Sequence, residues 1–298
     1  MENQIYLDGK WVAKHAAKIS VFDHGLLYGD GVFEGIRAYK GNIFKLQEHL
    51  ERLWESAHTL MLRIPMTQSE MQKVIVQTLK RNRLREAYIR VVVTRGVGDL
   101  GLDPGLCRQP TVFVITDKIK LYPESLYREG LSIITVPTVR NLPEAVNPAV
   151  KSLNYLNNIL AKMEAKNSGV VEALMLNHQG YVAECTGDNI FMVKMTGRAK
   201  KTPLLLTPPG YVGVLRGITR QAILGIAKNS RMAAEERILT RHDLFNADEI
   251  FLTGTAAEVV PVVKLDGRII GNGKPGRVTS RLLKAFRALT VKDGVKIR

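Results

Sequence analysis

Across residues 44–116 the apolar side chains switch from a three-to-four-residue spacing to strict alternation, and that switch confines the chain to helices laid against a sheet. Leu46, Leu50, Leu53, Ala57 and Leu60 predict an amphipathic helix between Phe44 and Met61. Thr67 and Glu70 then stand at capping-box spacing ahead of a second helix, whose inner stripe is Met71, Val74, Ile75, Thr78 and Leu79. The valine-rich stretch Ala87–Thr94 and the stretch Thr111–Thr116 alternate as strands. Pro123 and Gly130 break the pattern and mark a linker at 121–130. Beyond it short strands dominate, starting near Leu131, Val170, Tyr181, Asn189 and Asp248, with helices after Lys151, Gly217 and Arg277. The expected class is therefore α+β in two domains. A small N-terminal α/β domain spans 1–120, and a larger C-terminal domain, rich in strands with flanking helices, spans 131–298.

A chain of 298 residues, 45% apolar and 24% charged, can build two real cores. No stretch approaches the roughly 18 uninterrupted apolar residues of a membrane helix, and no apolar run follows a basic start at the N-terminus, so no membrane role and a cytoplasmic location are expected. Two cysteines, Cys107 and Cys185, imply neither a disulfide framework nor a cysteine zinc site, and no metal site is expected. The formal charge of +15 raises the question of nucleic acid. The basic groups are spread among acids, however, and the runs KRNRLR from Lys80 and RAKK from Arg198 are short and lack interleaved aromatics. No nucleic-acid partner is expected.

Lys151 lies in NPAVKSLNYLNNILAKMEA with no acid nearby to pair its ammonium. Such a lysine either snorkels to water or loses its solvation and becomes a nucleophilic amine of the Schiff-base kind. Leu153, Leu156, Leu160 and Met163 recur at helical spacing and Ser152 reads as an N-cap, which puts Lys151 at a helix mouth where the dipole disfavours an ammonium. Glu184 follows the hairpin-like turn NHQG; it reads either as an exposed strand acid or as the partner of a pyridinium nitrogen. Gly217, Ile218 and Thr219 stand where a turn becomes a helix, a cap whose free N–H groups also suit phosphate. Thr255 and Ala256 form a turn of small residues that either admits an anion or simply reverses the chain. Arg52 follows Glu48 by four residues, so a surface ion pair explains it. In AYIRVVVT, Tyr88 and Arg90 share a strand face, and a carboxylate ligand would satisfy both groups.

Taken together, HGLLYGDGVFEGIR from His24, HLERLWESA, AYIR, TRGVGDLGLDP, KSLNYLNNILA, ECTGDNIF, GITR and GTAAEVVPV resemble, in order and nearly end to end, the class IV (fold type IV) pyridoxal-phosphate aminotransferases, specifically the branched-chain amino-acid type. The resemblance implies that Lys151 carries pyridoxal 5'-phosphate and shuttles the proton between the substrate α-carbon and the cofactor. It implies that Glu184 faces the ring nitrogen, that Tyr155 donates to the ring's phenolic oxygen, and that Leu215 packs on one ring face. Arg52, Ile218, Thr219 and Thr255 would hold the phosphate. Tyr88, Thr255 and Ala256 would receive the substrate carboxylate, Arg90 the distal carboxylate of glutamate or 2-oxoglutarate, and Tyr28, Phe33, Gly35, Arg37 and Leu102 would wall the side-chain pocket. Tyr28 and Leu102 would reach a neighbouring subunit, which implies at least a homodimer. KSLNY departs from a glycine-containing KxGGNY-type segment, which affects where Tyr155 stands. The implied reaction moves the amino group of L-leucine, L-isoleucine or L-valine to 2-oxoglutarate. Relatives on the same fold act as D-amino-acid aminotransferases, R-amine aminotransferases or 4-amino-4-deoxychorismate lyases.

Overall fold

The computed structural model describes residues 2–118, 122–197 and 201–297. Positions 120 and 121, where the expected first domain ends and its linker begins, and most of the basic run from Arg198 lie outside the described residues. The first elements are β1 (Gln4–Leu7), β2 (Lys10–Ala13), α1 (His24–Tyr28), β3 (Gly31–Tyr39), β4 (Asn42–Phe44), α2 (Leu46–Thr59), α3 (Gln68–Arg81), β5 (Ala87–Thr94) and β6 (Thr111–Asp117). There follow α4 (Glu124–Glu129), β7 (Leu131–Thr135), α5 (Leu156–Asn167), β8 (Glu172–Leu176), β9 (Val182–Cys185), β10 (Asn189–Thr196), β11 (Thr202–Thr207) and α6 (Ile218–Asn229). The last are β12 (Ala233–Glu236), α7 (Arg241–Phe245), β13 (Glu249–Gly254), β14 (Glu258–Leu265), β15 (Arg268–Ile269), α8 (Arg277–Thr290) and β16 (Gly294–Lys296). They make two compact units that are not colinear with the sequence: Met1–Ile119, Val150–Asn154 and Leu289–Arg298 form one, and Lys120–Ala149 with Tyr155–Ala288 the other.

The first unit is an antiparallel sheet in the order β16, β4, β3, β5, β6, β1, β2. Two helices cover it because their apolar residues line up on one side: Leu46, Leu50, Leu53 and Ala57 of α2, and Met71, Ile75 and Leu79 of α3, are all buried in one core with Val32, Ile36, Ile89 and Val91. Each fully buried leucine there contributes about 2 kcal/mol. The capping box forms as expected, with the Glu70 amide donating to Thr67 Oγ1 and the Thr67 amide to Glu70 Oε2. Asn42 Nδ2 donates to the carbonyls of Thr290 and Asp293, which docks the C-terminal strand on β4.

The second unit holds a mixed sheet of nine strands, β12, β11, β10, β13, β14, β7, β8, β9 with β15 paired to β14. Its core includes Leu131, Leu174, Ile190, Leu252 and Val260. The stretch expected to be a linker contains the short helix α4, anchored by Tyr127 Oη donating to the Ala257 carbonyl.

Two local expectations are corrected. Ser152 does not cap a helix: α5 begins at Leu156 with Tyr155 at the cap position, and Lys151 is not at a helix mouth. Residues 150–154 run instead as a strand-like segment, whose bonds to β3 come from far away in sequence. The stripe Leu156, Leu160 and Met163 also points outward, at 66%, 45% and 55% exposure. The buried face of α5 is Asn158, Ala161 and Ala165, because small side chains let the helix approach Val136, Ala173 and Met175 closely.

Candidate active site

In the first unit, β3 and β5 place the expected substrate residues on one sheet face. Gly35 lies opposite Arg90, Arg37 opposite Tyr88 and Phe33 opposite Val92, and directly opposed residues share a face. Gly35 makes room for Tyr88: a Cβ would sit 2.1 Å from Tyr88 Oη, so the missing side chain is the space the phenol occupies. The Arg90 guanidinium stacks 4.0 Å from the Phe33 ring centroid, and Lys151 Nζ lies 4.5 Å from the same centroid. One aromatic ring thus brings together an amine and a guanidinium that lie far apart in sequence. Arg37 stacks on Tyr39 at 4.5 Å.

Lys151 is held by its backbone. Its carbonyl accepts from the Phe33 amide at 3.0 Å, its amide donates to Ser56 Oγ at 3.1 Å, and Leu153 N donates to the Gly31 carbonyl. Ser56 is buried on α2, as are His49 and Arg52. The surface pair expected between Glu48 and Arg52 does not form. Glu48 meets Lys45 at 2.6 Å, and Arg52 turns inward to the fully buried Glu34. Tyr28 and Leu102 are exposed, at 38% and 84%, and the Gly101 amide donates to Tyr28 Oη at 3.1 Å.

In the second unit, Glu184 is buried in β9 and surrounded by donors. Arg140 Nε and Nη2 each approach Oε1 at 3.0 Å, and Asn189 Nδ2 and the Leu215 amide each donate to Oε2 at 3.0 Å. Both carboxylate oxygens meet N–H groups, an arrangement that suits the ionised form. Asn189 Nδ2 also donates to the Leu215 carbonyl, and its Oδ1 fills the place of a Gly217 Cβ, which would come within 2.0 Å. Gly217 is the N-cap of α6, so the first amides of that helix, including those of Ile218 and Thr219, have no intrahelical acceptor. Thr255 and Ala256 form the turn between β13 and β14. Tyr155 starts α5, and Arg140 Nη1 donates to Asn158 Oδ1 in the same helix. The sequence reading missed Arg140, Asn189, Glu34, His49 and Ser56. For Arg140 nothing local marks it out, whereas Glu34 was visible as a lone acid inside the apolar strand VFEGIRAY.

Behind Glu184, Asp188 and Glu172 are buried side by side, both receiving Tyr122 Oη at 3.3 Å, with Thr186 Oγ1 and Lys162 Nζ on Glu172. Burial, then the Glu172 charge, pushes the Asp188 carboxyl up to about 7 from its ordinary 3.8. A group raised in this way contributes stability that is full below its unfolded value and is lost as pH climbs to the folded one. We expect the melting temperature to fall between pH 4 and pH 7 by on the order of 5 °C more in the wild type than in Asp188→Asn. Identical slopes in thermal melts of the two proteins would show that Asp188 is ionised when folded.

The amino-transferase class IV family profile matches residues 31–265. A Methanocaldococcus jannaschii protein provisionally named a branched-chain-amino-acid aminotransferase is 52% identical over 295 residues, covering 99% of each chain. Among solved structures, Escherichia coli branched-chain amino acid aminotransferase matches with a TM-score of 0.92 at 33% identity, over 97% of this chain and 95% of that one. Branched-chain amino acid aminotransferase from Thermobaculum terrenum, in its PLP form, matches with a TM-score of 0.86 at 27% identity, over 98% and 95%. With the family profile spanning most of its length and full-length relatives above 30% identity, this chain belongs to the class IV aminotransferases.

Proposed function

We propose that the chain is a pyridoxal-phosphate-dependent branched-chain L-amino-acid aminotransferase that exchanges the amino group of L-leucine, L-isoleucine or L-valine with 2-oxoglutarate. The observation that carries it is the Phe33 ring with Lys151 Nζ on one contact and Arg90 on another. The amine that handles the substrate α-carbon thus shares one wall with a guanidinium suited to the distal carboxylate of the acidic substrate, and Tyr88 stands on the same strand face for the α-carboxylate.

The residues fit the cofactor. A buried, donor-ringed carboxylate suits a cationic ring nitrogen, and the Gly217 helix start and the Thr255 turn suit a phosphate. Glu184 would face the ring nitrogen, Tyr155 the phenolic oxygen and Leu215 one ring face; Arg52, Ile218, Thr219 and Thr255 would hold the phosphate. When bound, the cofactor supplies an aldehyde that binds Lys151 and a cationic ring that withdraws electrons from the substrate α-carbon. Lys151 Nζ takes the α-proton. Glu184 keeps its charge, and so holds the opposing proton on the ring nitrogen. Tyr88 with Thr255 and Ala256 receives the α-carboxylate, and Arg90 the distal carboxylate of the acidic substrate. Phe33, Gly35 and Arg37 wall the apolar side chain.

A homodimer, with Tyr28 and Leu102 completing the neighbour's pocket, is supported by apolar surface at Leu26, Leu100 and Leu102, exposed by 60%, 69% and 84%. Cytoplasmic residence is supported by two unpaired cysteines. The purified protein should be yellow and should convert L-leucine with 2-oxoglutarate roughly 100-fold faster than D-alanine or R-phenylethylamine, or than it consumes aminodeoxychorismate. Inactivity on L-leucine with turnover of D-alanine would assign the chain to the D-specific relatives instead. A colourless protein that binds nucleic acid would remove it from enzymes.

A further inference from the structure

Beneath Lys151, on the face of β3 opposite Phe33, three ionisable side chains are buried together. Glu34 is 0% exposed, His49 1% and Arg52 7%. Arg52 grips Glu34 with two parallel bonds, Nε to Oε1 at 2.7 Å and Nη2 to Oε2 at 2.9 Å. His49 Nδ1 is 2.7 Å from Oε2. Burial alone would raise the Glu34 carboxyl, but Arg52 and His49 outweigh it and hold it well below the usual carboxylate range. Burial likewise pushes His49 down against the pull of Glu34, so the imidazole is neutral and its Nδ1–H donates. Glu34 and Arg52 therefore cancel in charge.

Stability does not explain this cluster, since apolar side chains of equal volume serve a buried site as well or better. Nor does Arg52 lack a nearer acid, because Glu48 lies one turn back on α2 and pairs with Lys45 instead. What the fork does achieve is aim: a guanidinium is planar, and two bonds to one carboxylate fix the plane and the direction of its remaining N–H groups. We infer that Glu34 is a positioning residue for the cofactor phosphate, holding Arg52 so that it binds by directed hydrogen bonds and not by added charge. The inference rests on the assignment of Arg52 to the phosphate.

Aim and charge predict opposite signs. Glu34→Gln keeps the reach and removes the negative charge, so a charge mechanism would tighten binding of the anionic cofactor. Glu34→Asp keeps the charge and withdraws the carboxylate by one methylene. The full-length protein, stripped of cofactor, is titrated with pyridoxal 5'-phosphate and with pyridoxal, which lacks the phosphate, and folding of each variant is checked by its thermal melt. We expect both variants to weaken pyridoxal-phosphate binding roughly 10-fold while pyridoxal binding holds. Glu34→Gln added to Arg52→Gln should cost nothing further, since the residue acts through Arg52. Unchanged or tighter pyridoxal-phosphate binding by a folded variant overturns the inference, as does an equal loss for both ligands. If Arg52→Gln itself weakens both ligands alike, the assignment of Arg52 to the phosphate fails and takes the inference with it. Should Glu34→Gln not fold, Glu34→Asp alone decides.

Discussion

Replacing Lys151 with alanine should abolish turnover, with a loss of at least about 10⁴-fold. In the proposed role the side chain carries two duties at once, attachment of the cofactor and movement of the α-proton, and Arg90, which shares the Phe33 ring with it, offers a guanidinium that does not stand in for an amine in either. The change should cost little stability. The half-buried side chain is removed, but the backbone bonds to Phe33 and Ser56 remain. Two measurements check this. Borohydride reduction of the wild type followed by peptide mapping should place the pyridoxyl group on Lys151, and the alanine variant should take up no tag. A tag on another lysine, or transamination surviving in the variant, would end the assignment.

Glu184→Gln should lower turnover by on the order of 10²–10³-fold while the cofactor stays attached. Glutamine matches the shape but offers one oxygen to two pairs of donors, Arg140 on one side and Asn189 with the Leu215 amide on the other. One pair then faces an N–H₂ group, and buried Arg140 loses its counter-charge. Breaking a buried pair of this kind costs about 3–5 kcal/mol, so a lower melting temperature should accompany the kinetic loss. The borohydride tag on Lys151 separates the two effects: a variant that still carries it yet turns over slowly has lost the electrostatics and not the cofactor. Unaltered turnover would exclude Glu184 from the ring nitrogen.

The parts of this molecule that were legible in the sequence are the ones fixed by neighbours. The α2 stripe, the Thr67 and Glu70 box and the alternation of Tyr88 and Arg90 are local patterns, and each stands where its spacing puts it. The turn around Asn177 and the helix start at Gly217 are likewise short-range. Lys151 shows where this stops. Ser152 and the leucines after it read as a helix with its cap, yet residues 150–154 obey a strand more than one hundred residues upstream, and a strand partner at that distance has no periodic signature. The buried face of α5 is not legible for a related reason: apolar spacing identifies the helix, but only the partner surface decides whether leucines or alanines are wanted. Arg52 and Glu34 required knowing which face of β3 the helix covers.

The tether of residues 151–153 to β3 runs through peptide groups, while the Ser56 hydroxyl of α2 receives the Lys151 amide. If Phe33, Arg37, Tyr88 and Arg90 meet the substrate as proposed, changing their side chains would widen or narrow what is accepted while the backbone bonds that hold Lys151 stay in place. In a scaffold built this way substrate range and reactive chemistry are free to diversify separately, and a single strand serves as the common ruler for both.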